Sequence, residues 1–172
     1  MKIKKNLLSE ISVYHGKIDM PEGFEIEKDE LIKNIFLSQY YEDIEYPFSK
    51  NWDKLKTYIC DFIKVEHNLN FVPIKTYGSF FEKNEISKPR LEIDLMDLKN
   101  SVDFVFLYGV EIDNNTCEIC IYYDDNKNKG KNKIFKLNNN SFIIFPSSLI
   151  YTIQNKNNTF LNFIQTINFK IV

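Results

Sequence analysis

"FIIFPSSLIYTI", residues 142–153, reads as two short apolar strands joined by a turn at Pro146-Ser147-Ser148. Working outward, the same two-residue period recurs through the second half of the chain. VDFVFLYGVEI (102–112) sets Val102, Phe104, Phe106, Tyr108 and Val110 on one face. TCEICIYY (116–123) follows an Asp113-Asn114-Asn115 turn, as the partner in a hairpin does. KIFKL (133–137) and FLNFIQTINFKI (160–171) extend the series, with Asn- and Lys-rich turns between them. Many short strands at even spacing predict an antiparallel barrel or jelly roll.

The first 70 residues have a different character. ISVYHGKI (11–18) alternates like a strand and is closed by Met20-Pro21-Glu22-Gly23. EKDELIKNIFLSQYYE (27–42) places Leu31, Ile32, Ile35, Phe36, Gln39 and Tyr40 on one helical stripe. NWDKLKTYICDFIKVEH (51–67) repeats that period with Trp52, Leu55, Ile59, Phe62 and Ile63, Asn51 serving as N-cap and Asp53 suiting the first turn. The expected class is α+β, mainly β. One domain spans 1–172, with a strand and two helices over 1–70 and a β-barrel over 71–172, the helices packed on the sheet.

A chain of 172 residues that is 44% hydrophobic and 15% aromatic can build a real core. Its net charge of −2 argues against a nucleic-acid partner, which calls for a basic face. MKIKKNLLSE (1–10) has the lysines of an export signal without its apolar run, and no stretch suits a membrane span. Three cysteines without such a signal imply reduced thiols in a cytoplasm.

The layout resembles the double-stranded β-helix of 2-oxoglutarate/Fe(II) oxygenases. More narrowly, MDLKNSVDFVFLYGV (96–110), YYDDNKNKGK (122–131) and NFIQTINF (162–169) are similar to stretches of uncharacterised proteins of T4-like marine phages. The resemblance implies iron held by two histidines and a carboxylate, and an arginine on the last strand clamping 2-oxoglutarate. This chain departs from that pattern. Its histidines, His15 and His67, precede the barrel, and neither begins an H-x-D or H-x-E pair. RLEIDLMDLKNS (90–101), where the first ligand pair belongs, offers Glu92, Asp94 and Asp97. Tyr151 stands at the distal histidine and Asn162 at the arginine; Arg90 is the only arginine.

The expectation is therefore a degenerate site with no catalytic residue, no metal ligand and no cofactor, on a barrel acting as a binding or structural module. Its partners would be proteins or a small ligand, not nucleic acid or a membrane. The location would be a cytoplasm (the host's, for a phage protein) or a virion, of which a jelly roll could be a subunit. The alternative is an active iron/2-oxoglutarate oxygenase with unorthodox ligands drawn from Glu92, Asp94, Asp97 and Tyr151.

A pocket is expected at the barrel end near Tyr151, with Asp94 and Asn162 beside it. Tyr77, Tyr108 and Tyr151 either line its mouth or only pack. Gln165 interrupts the apolar alternation of Leu161, Phe163, Ile167 and Phe169, and either reads a ligand or bonds a neighbouring backbone. Cys117-Glu118-Ile119-Cys120 spells C-x-x-C, but strand residues three apart face opposite ways, so both cysteines, like Cys60, read as structural. The Asp124–Gly130 stretch reads as a solvated hairpin tip, Glu42, Asp43 and Glu45 as a wet loop, and Ser147 and Ser148 as turn residues.

Overall fold

The strands at 104–111 and 162–171 carry buried side chains on both faces, so the sheet they build must be covered twice, and the fold follows from how that is done. The computed structural model describes residues 11–18, 27–40, 50–67, 69–123 and 130–172. Its elements are β1 (Tyr14–Lys17), α1 (Lys28–Tyr40), α2 (Lys50–His67), β2 (Phe71–Phe81), β3 (Phe104–Glu111), β4 (Cys117–Tyr123), β5 (Lys131–Leu137), β6 (Ser141–Pro146), β7 (Ile150–Asn155) and β8 (Asn162–Ile171). They form a five-stranded sheet, β1-β6-β3-β8-β2, and a three-stranded sheet, β5-β4-β7, antiparallel throughout. The mainly-β sandwich with two helices on one sheet is the architecture expected from the strand spacing.

The helices cover the outer face of the larger sheet. Leu31 and Ile35 of α1 and Trp52, Leu55, Ile59 and Ile63 of α2 are buried with Phe80, Phe106, Tyr108, Val110, Ile167 and Phe169. Trp52 lies 5.6 Å from the Tyr108 ring. Gly78 permits the close approach of α1, because a Cβ there would run into Ile35. Phe62 departs from the expected stripe and stands 46% exposed. Helix α2 spans Lys50–His67, and the side chain of Asn51, with the N-cap expected of it, lies outside the described residues.

The second core lies between the sheets. Val105, Leu107, Ile143, Phe145 and Ile164 of the larger sheet meet Cys117, Ile119, Ile121, Leu137, Tyr151 and Ile153 of the smaller. Cys117 is buried here while Cys120 is only partly so, and both thiols are free. Burial pushes the Cys117 thiol up to about 12, which keeps it protonated and inert.

Asn115 and Asn140 adopt left-handed backbone, which asparagine tolerates, and thereby close the turns after β3 and before β6. Between β2 and β3, residues 82–103 run beside β7 and bond to it where Ile86 faces Gln154 and Arg90 faces Tyr151. Among the described residues no helix is long and apolar enough to cross a membrane. The N-terminal stretch 1–10, the Met20–Gly23 closure, the Glu42/Asp43/Glu45 loop, the hairpin tip at 124–129 and the side chain of His67 lie outside the described residues.

Candidate binding site at the barrel end

The site is assembled from the edge segment beside β7. Arg90 donates its backbone N–H to the Tyr151 carbonyl at 2.9 Å, and Tyr151 returns the bond at 3.1 Å. Residues paired this way direct their side chains to the same face, and Tyr151 is fully buried in the inter-sheet core. Arg90 thus enters the barrel, where its guanidinium lies 5.4 Å from the centroid of the Phe81 ring. Three residues on, Ile93 N–H bonds the Ser147 carbonyl and anchors the chain again, so Glu92 is held at the barrel end.

Glu92 gathers three strands. Its Oε1 accepts the Tyr77 hydroxyl at 2.7 Å and the Tyr151 hydroxyl at 2.9 Å. Its Oε2 accepts the Asn168 amide at 3.0 Å. The carboxylate charge is thereby spread over two phenols and an amide, none of them charged. Burial is the main cause that raises the Tyr77 hydroxyl to about 12, with the Glu92 charge second. Tyr151 is pushed higher still, first by burial and then by its acidic neighbours Tyr77 and Glu92. Both phenols therefore remain neutral donors at ordinary pH.

Strand β8 lines the inner wall. Register sets Thr166 opposite Tyr77 and Asn168 opposite Lys75, whose ammonium lies 5.2 Å from the Tyr77 ring centroid. Because Asn168 gives its N–H to a carboxylate, its amide orientation is fixed with the carbonyl turned away. That carbonyl oxygen and the Thr166 hydroxyl are buried without a partner.

Of the residues singled out in the sequence, Tyr77 and Tyr151 meet here through Glu92. Asp94 does not join them. It is exposed, and its carboxylate accepts the backbone N–H groups of Met96 and Asp97 at 2.8 and 3.3 Å. Asn162 sits at the other end of β7, bonded to Asn155 at 2.8 Å; Asn155 lies four steps along the strand from Tyr151, about 13 Å. The expected grouping of Tyr151, Asp94 and Asn162 is thus taken apart by strand direction.

Tyr108 and Gln165 lie across the larger sheet, toward the helices. Tyr108 packs on Trp52 and donates to the Asn140 side chain at 2.7 Å. Gln165 pairs in register with Tyr108 and Gly78, is fully buried, and neither end of its amide has a partner. Arg90, Thr166 and Asn168 were not singled out in the sequence. The one available signal was their polarity in or beside strand segments whose interior face had not been identified.

No family model and no curated protein matches the chain. Solved structures do. AviO1 from Streptomyces viridochromogenes aligns with a TM-score of 0.63 and 8% identity, over 93% of this chain and 90% of that one. The non-heme alpha ketoglutarate dependent epimerase SnoN from nogalamycin biosynthesis gives 0.62 and 7%, over 91% and 76%. A Pseudomonas putida prolyl-4-hydroxylase gives 0.59 and 7%, over 92% and 87%. The fold is the double-stranded β-helix of 2OG-Fe(II) oxygenases.

These likenesses correct one expectation. SnoN is also solved with Fe3+, alpha ketoglutarate and nogalamycin RO, so a chain of this fold cannot be read as cofactor-free from its sequence, and that expectation is withdrawn. What the missing imidazoles remove is one donor set. Among the described side chains His15 is the sole imidazole and lies 5.2 Å from the Phe135 ring, and no three His, Cys, Asp or Glu residues converge. The described side chains do not fit iron held by two histidines and a carboxylate.

Proposed function

We propose that this protein is a binding module on the oxygenase fold, related to the marine phage proteins whose stretches it resembles. Its ligand is held at the barrel end around Tyr77, Arg90, Glu92, Tyr151 and Asn168. The observation that carries this reading is the state of Glu92: all three of its hydrogen bonds come from neutral side chains anchored on separate strands. A carboxylate so engaged orients its neighbours, and the polar wall it organises is one suited to recognition.

Incubation with ferrous iron, 2-oxoglutarate and oxygen tests the reading through succinate formation. The proposal expects no succinate above a protein-free control. Catalytic succinate, lost in Glu92→Ala, would overturn it in favour of an oxygenase with unorthodox ligands. Of the four oxygen donors considered for that alternative, Glu92 and Tyr151 are in contact, whereas Asp94 and Asp97 serve turns of their own loop.

A further inference from the structure

The two open sides of the sandwich are closed differently. On one, the chain from 82 to 103 runs along β7 and bonds to it. On the other, β1 ends the larger sheet and β5 ends the smaller one, and among the described residues no strand lies beyond either. There His15 of β1 meets Phe135 of β5, their rings 5.2 Å apart.

The outer edge of β1 offers a ladder. Ile18 N–H bonds the Asn140 carbonyl, on the β6 side. Backbone groups alternate sides along a strand, so those of Gly16 face β6 while the N–H and C=O of His15 and Lys17 face outward. Outward donors and acceptors on an edge strand are a template for one more strand.

The two faces that a further strand would meet differ in character. On the helix side lies a groove of about 460 Å3 lined by Gly16, Phe62, Ile63, Phe142 and Ile144. Phe62, 46% exposed, and Val65, 80% exposed, continue its apolar wall along α2. On the inner side His15 and Lys17 are exposed, and Lys133 stands two residues from Phe135 on the same face of β5. Strands β1 and β5 hold Lys17, Lys131, Lys133 and Lys136 and no acidic residue. A second copy adding its own β1 would set lysine and histidine against their like, which disfavours self-pairing.

We infer that the outer edge of β1 takes up an extended segment of a partner protein, added as a strand, whose side chains alternate apolar and acidic. The apolar ones enter the groove against Phe62 and Phe142, and the carboxylates meet Lys17, Lys133 and the imidazole N–H of His15. This accounts for Phe62 standing outside the buried stripe of α2. The edge lies at the opposite end of the larger sheet from β2 and Tyr77, apart from the cluster around Glu92.

Fluorescence anisotropy tests it with a labelled heptapeptide in which valine and glutamate alternate. A peptide with lysine in place of glutamate, and one with the same residues in blocks, serve as controls. Wild type is expected to bind the alternating acidic peptide at least tenfold more tightly than either control. Lys17→Glu should weaken that binding several-fold and strengthen binding of the lysine peptide. Phe62→Ala should weaken it several-fold. His15→Pro, which removes an outward N–H and spares the groups that pair with β6, should weaken it more than His15→Ala. Circular dichroism would verify that each variant is folded. In hydrogen exchange, bound peptide should slow the His15 and Lys17 amides.

No binding of the acidic peptide by wild type, equal binding of the lysine peptide, or folded Lys17→Glu and Phe62→Ala variants that bind as wild type does would overturn the inference. Binding that leaves the His15 and Lys17 amides unprotected would overturn it too, by placing the peptide elsewhere. A wild-type dimer in sedimentation that Phe62→Ala dissolves would give the edge to a second copy instead.

Discussion

Strand β8 has two faces, and they do different work. Toward the helices it presents Phe163, Ile167 and Phe169, packed among the rings of Phe36, Phe80, Phe71 and Phe106. Toward the smaller sheet it presents Asn162, Ile164, Thr166 and Asn168, two of which bond to Asn155 and Glu92. The first face is where dispersion and burial hold the fold together, and the second is where hydrogen-bonding groups are kept in place, some of them unmatched. The more apolar side of a strand is therefore not always the side that faces the barrel. When helices roof the sheet, the outer face is the drier one.

The largest expected effect lies on the helix side. Trp52→Ala should lower stability by about 3–5 kcal/mol in denaturant unfolding, because the fully buried indole leaves a cavity above Tyr108. A loss below about 1 kcal/mol would mean that this layer is not the main support. Next comes Glu92→Ala, expected to cost about 2 kcal/mol, since it strands two phenols and an amide. Retention of full stability would show that the cluster is not organised by the carboxylate.

Gln165→Leu sharpens the comparison from the other direction. An amide buried without partners is a burden, so its replacement should leave stability unchanged or raise it by about 1 kcal/mol. Destabilisation would reveal a partner for Gln165 within the helix layer.

A further effect appears only in alkali. Tyr77 titrates near 10 when unfolded and at about 12 when folded, so the folded state holds its proton more tightly. Its contribution is complete below pH 10 and declines as pH rises toward 12. A melting series over that range should therefore fall more steeply for wild type than for Tyr77→Phe, and equal slopes would contradict the burial assigned to this hydroxyl.

Much of the architecture was legible from periodicity. The strand–turn–strand at 142–153 became β6 and β7, and the helical stripes at 27–42 and 51–67 became α1 and α2 within a few residues. The site was legible only in part. Tyr77 and Tyr151 were marked as mouth residues, but Tyr108 and Gln165 were grouped with them because the apolar face of their strands was taken as the inner one. Period alone shows which residues share a face, not which face meets helices and which meets the other sheet. Arg90 was not marked, and Glu92 was considered only as a ligand under the oxygenase alternative, for another reason. They lie in a segment with no period of its own, held to β7 by two bridges that only the folded chain reveals.

The central claim is that recognition occurs on the inner face of β8. The side-chain amides of Asn168 and Gln165 test it in one NMR titration, since they belong to one strand and opposite faces. A small-molecule ligand of the barrel end is expected to shift the Asn168 amide signals progressively to saturation while those of Gln165 stay fixed. Movement of the Gln165 signals with Asn168 unmoved would contradict the account.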